Sequence, residues 1–206
     1  LAQLESSGLA ENTVVIFTSD NGAHWTMDDI AKFGHRANAQ RRGQKADIWE
    51  GGHRVPFVVR WPGHVKAGVE EDSLLCLTDV MATLANLVGE NLSLGSAEDS
   101  VNQAEVWWGS EIGTANPRRD IIHHSFRGHF AIRSGDWKLV ERLGSGGFTQ
   151  PHKPKPTADG PTGQLYNLAV DPLESKNLFL DEPEKVAELQ ALLNEYRASG
   201  WSREGK

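Results

Sequence analysis

Thr13-Val14-Val15-Ile16-Phe17-Thr18-Ser19-Asp20-Asn21-Gly22 is the stretch from which the rest of the chain is read. A short β-branched and aromatic run leads straight into three turn formers. Continuous apolarity without alternation predicts a strand buried on both faces, as in the central sheet of an α/β fold. Ligand-binding loops of such sheets lie beyond the carboxyl ends of their strands, where Asp20 and Asn21 fall. These two residues offer a carboxylate and an amide oxygen, hard donors that suit Ca²⁺ or Mg²⁺ and not zinc. Such ions take about six or more oxygens, so further ligands must come from elsewhere. Taken alone, the triplet Asp-Asn-Gly reads first as an ordinary turn.

Upstream, Leu1 and Leu4 followed by Gly8 fit the end of a helix with a glycine cap, so the chain reads as a piece of a longer protein. Downstream, residues 23–52 are polar, glycine-containing and irregular, and 55–61, closed by Pro62-Gly63, form a second apolar strand. Thr78 is placed to cap a helix with Val80, Met81, Leu84 and Leu87 on one face and Gly89 as its stop. Residues 91–113 are polar and loop-rich, with Val106, Trp107 and Trp108 as an anchor. The texture changes after about Asn116. Residues 130–133 and 137–141 flank Ser134-Gly135-Asp136, a hairpin signal. Residues 144–163 hold four Pro and five Gly and predict a mobile loop, after which 164–168 return as a strand. Residues 184–199 place Val186, Leu189, Leu192, Leu193 and Tyr196 on one helical face, with Pro183 in the first turn. The expected plan is α/β over 1–115, then a small antiparallel sheet packed with a C-terminal helix over 116–206.

Composition narrows the function. With 38% hydrophobic and 24% charged residues the chain should fold around a packed core. Its net charge of −7 carries no clustered basic face, which argues against a nucleic-acid partner; Arg41, Arg42 and Lys45 are too few. No apolar run reaches the roughly 18 residues of a membrane span. The single cysteine, Cys76, allows no internal disulfide and reads as a small buried hydrophobe.

Lys45 stands 25 positions after Asp20, within Arg42-Gly43-Gln44-Lys45-Ala46-Asp47-Ile48-Trp49-Glu50-Gly51-Gly52-His53-Arg54-Val55-Pro56. By itself it is a surface lysine. In company with Thr18-Ser19-Asp20-Asn21-Gly22 it resembles the type I sulfatases of the alkaline-phosphatase superfamily. The resemblance continues through Trp61-Pro62-Gly63, Asp79-Val80-Met81-Ala82-Thr83-Leu84 and Ala131-Ile132-Arg133-Ser134-Gly135-Asp136-Trp137-Lys138-Leu139-Val140. It ends in Leu165-Tyr166-Asn167-Leu168 followed by Asp171-Pro172, Glu174 and Asn177-Leu178. Most of the chain is covered, in the family's order. The resemblance implies the C-terminal part of an alkaline-phosphatase-like sulfatase sheet plus the antiparallel subdomain. It makes Asp20 and Asn21 metal ligands, for Ca²⁺ ahead of Mg²⁺. Lys45 becomes the catalytic lysine that contacts sulfate and the bridging oxygen, where an ammonium offsets charge developing on the leaving group. His24, three residues after Asn21, lines the substrate mouth, and His35 and Asn38 are candidates for substrate selection. Glu50, Gly51 and Gly52 shape the turn into the next strand. His123 and His124, adjacent on a strand, face opposite ways and make a poor chelating pair.

The family nucleophile is a formylglycine made from Cys or Ser in Cys/Ser-x-Pro/Ala-x-Arg. Cys76-Leu77-Thr78-Asp79-Val80 does not match, and no such motif occurs in the 206 residues. The formylglycine is therefore expected in a missing N-terminal half, and this chain alone is expected to be inactive. The reading is thus a fragment of a sulfuric ester hydrolase acting on aryl or carbohydrate sulfates, a sulfated glycan preferred, in a periplasmic or secreted parent. Two alternatives stay open: a phosphodiesterase or phosphonate hydrolase on the same fold, and a non-catalytic module that binds sulfated glycans.

Overall fold

The computed structural model describes residues 1–93, 95–108 and 117–203. The expected boundary at 115/116 lies outside the described residues. The chain forms two compact units, one of 1–19, 56–119 and 201–206, the other of 20–55 and 120–200. Residues 20–55, read from sequence as part of an N-terminal α/β domain, cluster with the C-terminal segment.

The first unit holds α1 (Ala2–Ser6), β1 (Val15–Thr18), β2 (Phe57–Arg60), α4 (Asp79–Leu87) and α5 (Ala104–Trp108). Both strands fall where the apolar runs predict them. They pair with each other, antiparallel, from Val15 opposite Arg60 to Thr18 opposite Phe57. Two strands cannot enclose both faces of either. Phe17 and Val58 accordingly stay 65% and 55% exposed, against the expectation of a strand buried on both sides. Helix α4 also differs from its reading. Thr78 makes no side-chain cap, Met81 is exposed, and the buried face is Asp79, Ala82 and Thr83. Asp79 decides this orientation. Its carboxylate accepts the Cys76 and Val101 N–H groups at 2.9 Å each and the Arg118 Nε–H at 2.7 Å. Burial would lower the Arg118 guanidinium, but hydrogen bonding to Asp79 and the charges of Asp79, Cys76 and Asp99 together outweigh it and hold its pKa above the usual value.

The second unit is built on a four-stranded antiparallel meander of β3 (Asp120–His124), β4 (Phe130–Ser134), β5 (Trp137–Val140) and β6 (Gln164–Asn167). The expected β4–β5 hairpin forms, but its loop is two residues, Gly135-Asp136, and not three, since Ser134 joins the ladder opposite Trp137. Gly135 has φ 53°, as a primed turn requires. The two-residue period sorts the side chains into two layers. Ile132, Leu139 and Leu165 meet Leu189 and Leu193 of α6 (Pro183–Ser199), with Val186, Leu192 and Tyr196 packed alongside. This is the helical face the sequence predicts, and Pro183 sits in the first turn. On the other sheet face, Ala131, Val140, Tyr166 and Leu168 cluster with Ile48 and Trp49. Burying an Ile or Trp of this kind contributes roughly 1.5–3 kcal/mol, so these two anchor the Lys45-bearing loop on the sheet. Helix α2 (Met27–Phe33), closed by a Thr26–Asp29 capping box, and the short α3 (Glu50–His53) complete the unit.

The segment 144–163, expected to be mobile, is pinned at its start. Residues 144–147 are buried. The Ser145 carbonyl accepts the Ile48 N–H at 2.8 Å, and Asp47 Oδ1 accepts the N–H groups of Phe148 and Thr149 at 2.7 and 3.0 Å. No helix among the described residues is long and apolar enough to cross a membrane.

Candidate functional site

All four singled-out residues, Asp20, Asn21, His24 and Lys45, belong to the second unit. Their loops are held together by backbone, and glycine makes this possible. Gly22 N–H donates to the Gly52 carbonyl at 2.9 Å, Lys45 N–H to the Ala23 carbonyl at 3.1 Å and Gly51 N–H to the Arg42 carbonyl at 2.7 Å. A Cβ on Gly22 would stand 1.8 Å from the Gly51 carbonyl oxygen, and one on Gly51 2.4 Å from that of Gly43. No other residue fits such contacts without displacing backbone. The spaced glycines of the motif are thus the seams between three loops. Asn38 fastens a fourth seam: its amide oxygen accepts the Ala23 N–H at 2.9 Å and its nitrogen donates to the Ala23 carbonyl at 3.0 Å. Its side-chain amide thus helps hold the loop frame. The His35 carbonyl likewise accepts the Trp25 indole N–H at 2.8 Å.

On this frame Asp20, His24 and Lys45 are exposed and Asn21 is half-buried. The Asn21 amide donates to Asp20 Oδ1 at 3.0 Å. Lys45 makes no salt bridge among the described residues, which leaves a free ammonium. The His24 ring meets Phe148 edge-on at 5.4 Å. One carboxylate and one amide form an oxygen donor pair that fits a hard divalent cation in kind but falls short in number. Among the described residues no group of three or more His, Cys, Asp or Glu converges on one point.

The charged residues that hold the frame escaped sequence reading. Asp47 is fully buried beneath the Lys45 turn and accepts the Gln44 N–H at 2.9 Å besides the two loop amides. Lys138, fully buried on β5, bridges Glu50 at 3.0 Å and Glu174 at 2.8 Å. Glu174 also accepts the Glu50 N–H at 2.7 Å. Burial pushes the Glu174 carboxyl up; burial also works to raise Glu50, but the Lys138 ammonium together with Arg133 and Arg54 outweighs it and holds Glu50 low. Arg42 stacks 3.7 Å over the Trp49 ring and donates to the Glu174 carbonyl at 2.7 Å. A lysine amid the apolar residues of Trp137-Lys138-Leu139-Val140 was the available signal. His53 and His123 lie ring to ring at 4.3 Å beside this network. Burial and then the Lys138 charge draw His53 down to about 4 and His123 well below its ordinary value. His124 turns elsewhere, its Nδ1 3.0 Å from the Ser125 carbonyl, so the adjacent histidines do not chelate.

With this geometry in hand, comparison with known proteins is informative. The family described as Sulfatase matches residues 1–90. An N-acetylgalactosamine-6-O-sulfatase of Bacteroides thetaiotaomicron is 34% identical over 92% of this chain and 37% of its own length. Arylsulfatase A of Bos taurus is 31% identical over 87% of this chain and 36% of its own. A solved structure from work on glycosaminoglycan metabolism by Bacteroides thetaiotaomicron superposes with a TM-score of 0.80 at 32% identity, covering 96% of this chain and 41% of that one. PsFucS1 sulfatase from Pseudoalteromonas sp. superposes with a TM-score of 0.76 at 26% identity, over 96% and 39%. The chain therefore spans a little over a third of the length of these curated relatives.

Proposed function

The chain belongs to the sulfatase family, and from that premise we propose that it supplies the sulfate-gripping part of an enzyme that hydrolyses sulfate esters. The observation that carries this reading is the exposed Lys45 ammonium, without a salt bridge among the described residues, on the loop whose backbone bonds to Ala23, two residues from Asn21. Lys45 contacts the sulfate and offsets the charge that develops on the departing oxygen. Asp20 and Asn21 supply two of the oxygen ligands of a divalent cation, Ca²⁺ ahead of Mg²⁺. That cation, when bound, draws charge from the sulfuryl oxygens. His24 lines the substrate mouth. The nucleophile, a formylglycine by the resemblance, has no source in the 206 residues and is assigned to a part of the protein outside them. The chain alone is therefore expected to be inactive.

The substrate proposed is a sulfated sugar. Support comes from the relative that matches nearly the whole chain and is named for a sulfated N-acetylgalactosamine. The test is sulfate release from N-acetylgalactosamine 6-sulfate by the enzyme that carries this chain, beside an aryl sulfate and a phosphodiester. Preferred release from the sulfated sugar is expected. Faster phosphodiester cleavage would overturn the reaction class, and turnover by the isolated 206 residues would overturn the division of labour.

A further inference from the structure

The turn at 125–129 and the segment 144–154 build a second feature beside the Lys45 loop. Phe126 N–H donates to the Ala46 carbonyl at 2.9 Å, and Arg127 N–H to the Gly146 carbonyl at 2.8 Å. Gly146 N–H in turn reaches the His152 carbonyl at 2.9 Å, and Ser145 N–H that of Pro151 at 3.0 Å. Gly144, at φ 82°, lies so close that a Cβ would stand 2.5 Å from both the Pro151 carbonyl oxygen and Pro154 Cδ. These bonds frame an open cleft of about 410 Å³ lined by Arg127, Gln150, Pro151, His152, Lys153 and Pro154. Its size is within the usual range for small-ligand sites, roughly 300–1,000 Å³.

The chemistry of the lining is one-sided. In a chain of net charge −7 it contains two cations and no carboxylate. The fully buried His129, whose ring nitrogens have no hydrogen-bond partner among the described residues, is drawn down to about 4 by burial and then by Lys153, Arg142 and Arg127. Phe126, next to Arg127, bonds through its N–H to Ala46, and Phe148 through its N–H to Asp47, the two residues that follow Lys45. The two rings are 72% and 42% exposed, with centroids 5.9 Å apart. His24 adjoins Phe148. Exposed ring faces beside cations suit a ligand that alternates C–H faces with oxyanions, and Arg presents a fork matched to such groups.

We propose that the cleft lined by Arg127 and Lys153 is a second anion subsite, which holds a sulfate or uronate carboxylate of a neighbouring sugar while Phe126 and Phe148 support the chain between it and Lys45. The inference rests on the sulfated-sugar reading above and extends it from a single sugar to an anionic oligosaccharide.

The experiment is calorimetric titration of the 206-residue chain with a sulfated chondroitin tetrasaccharide, its desulfated counterpart and N-acetylgalactosamine 6-sulfate. Arg127→Gln/Lys153→Gln should weaken tetrasaccharide binding at least tenfold and leave the monosaccharide within twofold. Both side chains are exposed, so the variant should fold. Lys32→Gln/Lys66→Gln, equal in charge but no part of the cleft lining, should change the tetrasaccharide by less than twofold. If the desulfated tetrasaccharide keeps the Arg127 and Lys153 dependence, the group held is a carboxylate; if it loses it, a sulfate. No measurable tetrasaccharide binding, an equal loss in the Lys32/Lys66 variant, or an equal loss for the monosaccharide would overturn the proposal. These outcomes concern binding only, so a failure of the hydrolytic reading would show separately in the sulfate-release assay.

Discussion

At the scale of single residues, the site is a contrast between exposed polar groups and buried ones. Asp20, His24 and Lys45 stand in solvent, while Asp47, Lys138 and Glu174 beneath them are fully buried. The exposed set was legible because motif spacing names it. The buried set was not, since nothing in a single sequence marks which carboxylate goes inside; only pairing makes such burial tolerable. The histidines carry a testable consequence. His53 and His129 are drawn to about 4, and His123 below its ordinary value, so the folded chain keeps them neutral. Unfolded, they take up protons near pH 6.5. Stability is then fully present above about pH 6.5 and falls as pH drops toward about 4, by about 3 kcal/mol at most for His53. Glu174, raised by burial, works in the opposite direction, but it is one group against three. Thermal midpoints should therefore fall between pH 7 and 4.5, and His53→Gln should flatten the profile. A midpoint that holds or rises on acidification would contradict this.

At the scale of elements, the antiparallel sheet is a two-sided platform. One face takes α6 and the other takes Ile48 and Trp49, so the loop bearing Lys45 is part of the sheet's own packing. Asp47 ties the same loop to 148–149 through two amides and to Gln44 through a third. In Asp47→Ala those donors lose their acceptor, at about 1–3 kcal/mol for the buried Gln44 N–H and less for the partly buried Phe148 and Thr149 N–H groups. Amide exchange at Phe148 and Thr149 should accelerate by orders of magnitude, and proteolysis should begin within 144–149. Unchanged exchange would show that the segment holds itself. The hairpin and α6 could be read from sequence because their signals are local: a turn at fixed offset and a helical stripe. The pinned start of 144–163 could not, because its glycines and prolines read as flexibility while the acceptor that fixes them lies about a hundred positions away. Helix α4 lies where the sequence places it, but its most buried face was misread for a similar reason. Its orientation follows Asp79 and its distant partner Arg118, not its apolar stripe.

At the scale of the whole molecule, two compact units interleave along the sequence, and the proposed site residues all fall in the one built on the antiparallel sheet. The reading from sequence divided the chain by order of appearance, whereas 20–55 clusters with 120–200, joined by the Ile48–Trp49 anchor and the Asp47 bonds to Phe148 and Thr149. The family itself was legible, since the ordered motifs run from Thr18 to Leu178 across that interleaving. The central claim, a sulfate-gripping lysine set beside proposed metal ligands, meets its most direct test in Lys45. In the enzyme that carries this chain, Lys45→Ala should lower kcat for sulfate release by roughly 10²–10³-fold, the loss typical of a donor aimed at developing charge. Lys45→Arg should recover part of it, and fold stability should be unchanged because the side chain is exposed. A Lys45→Ala enzyme that releases sulfate at the unmodified rate would contradict the account.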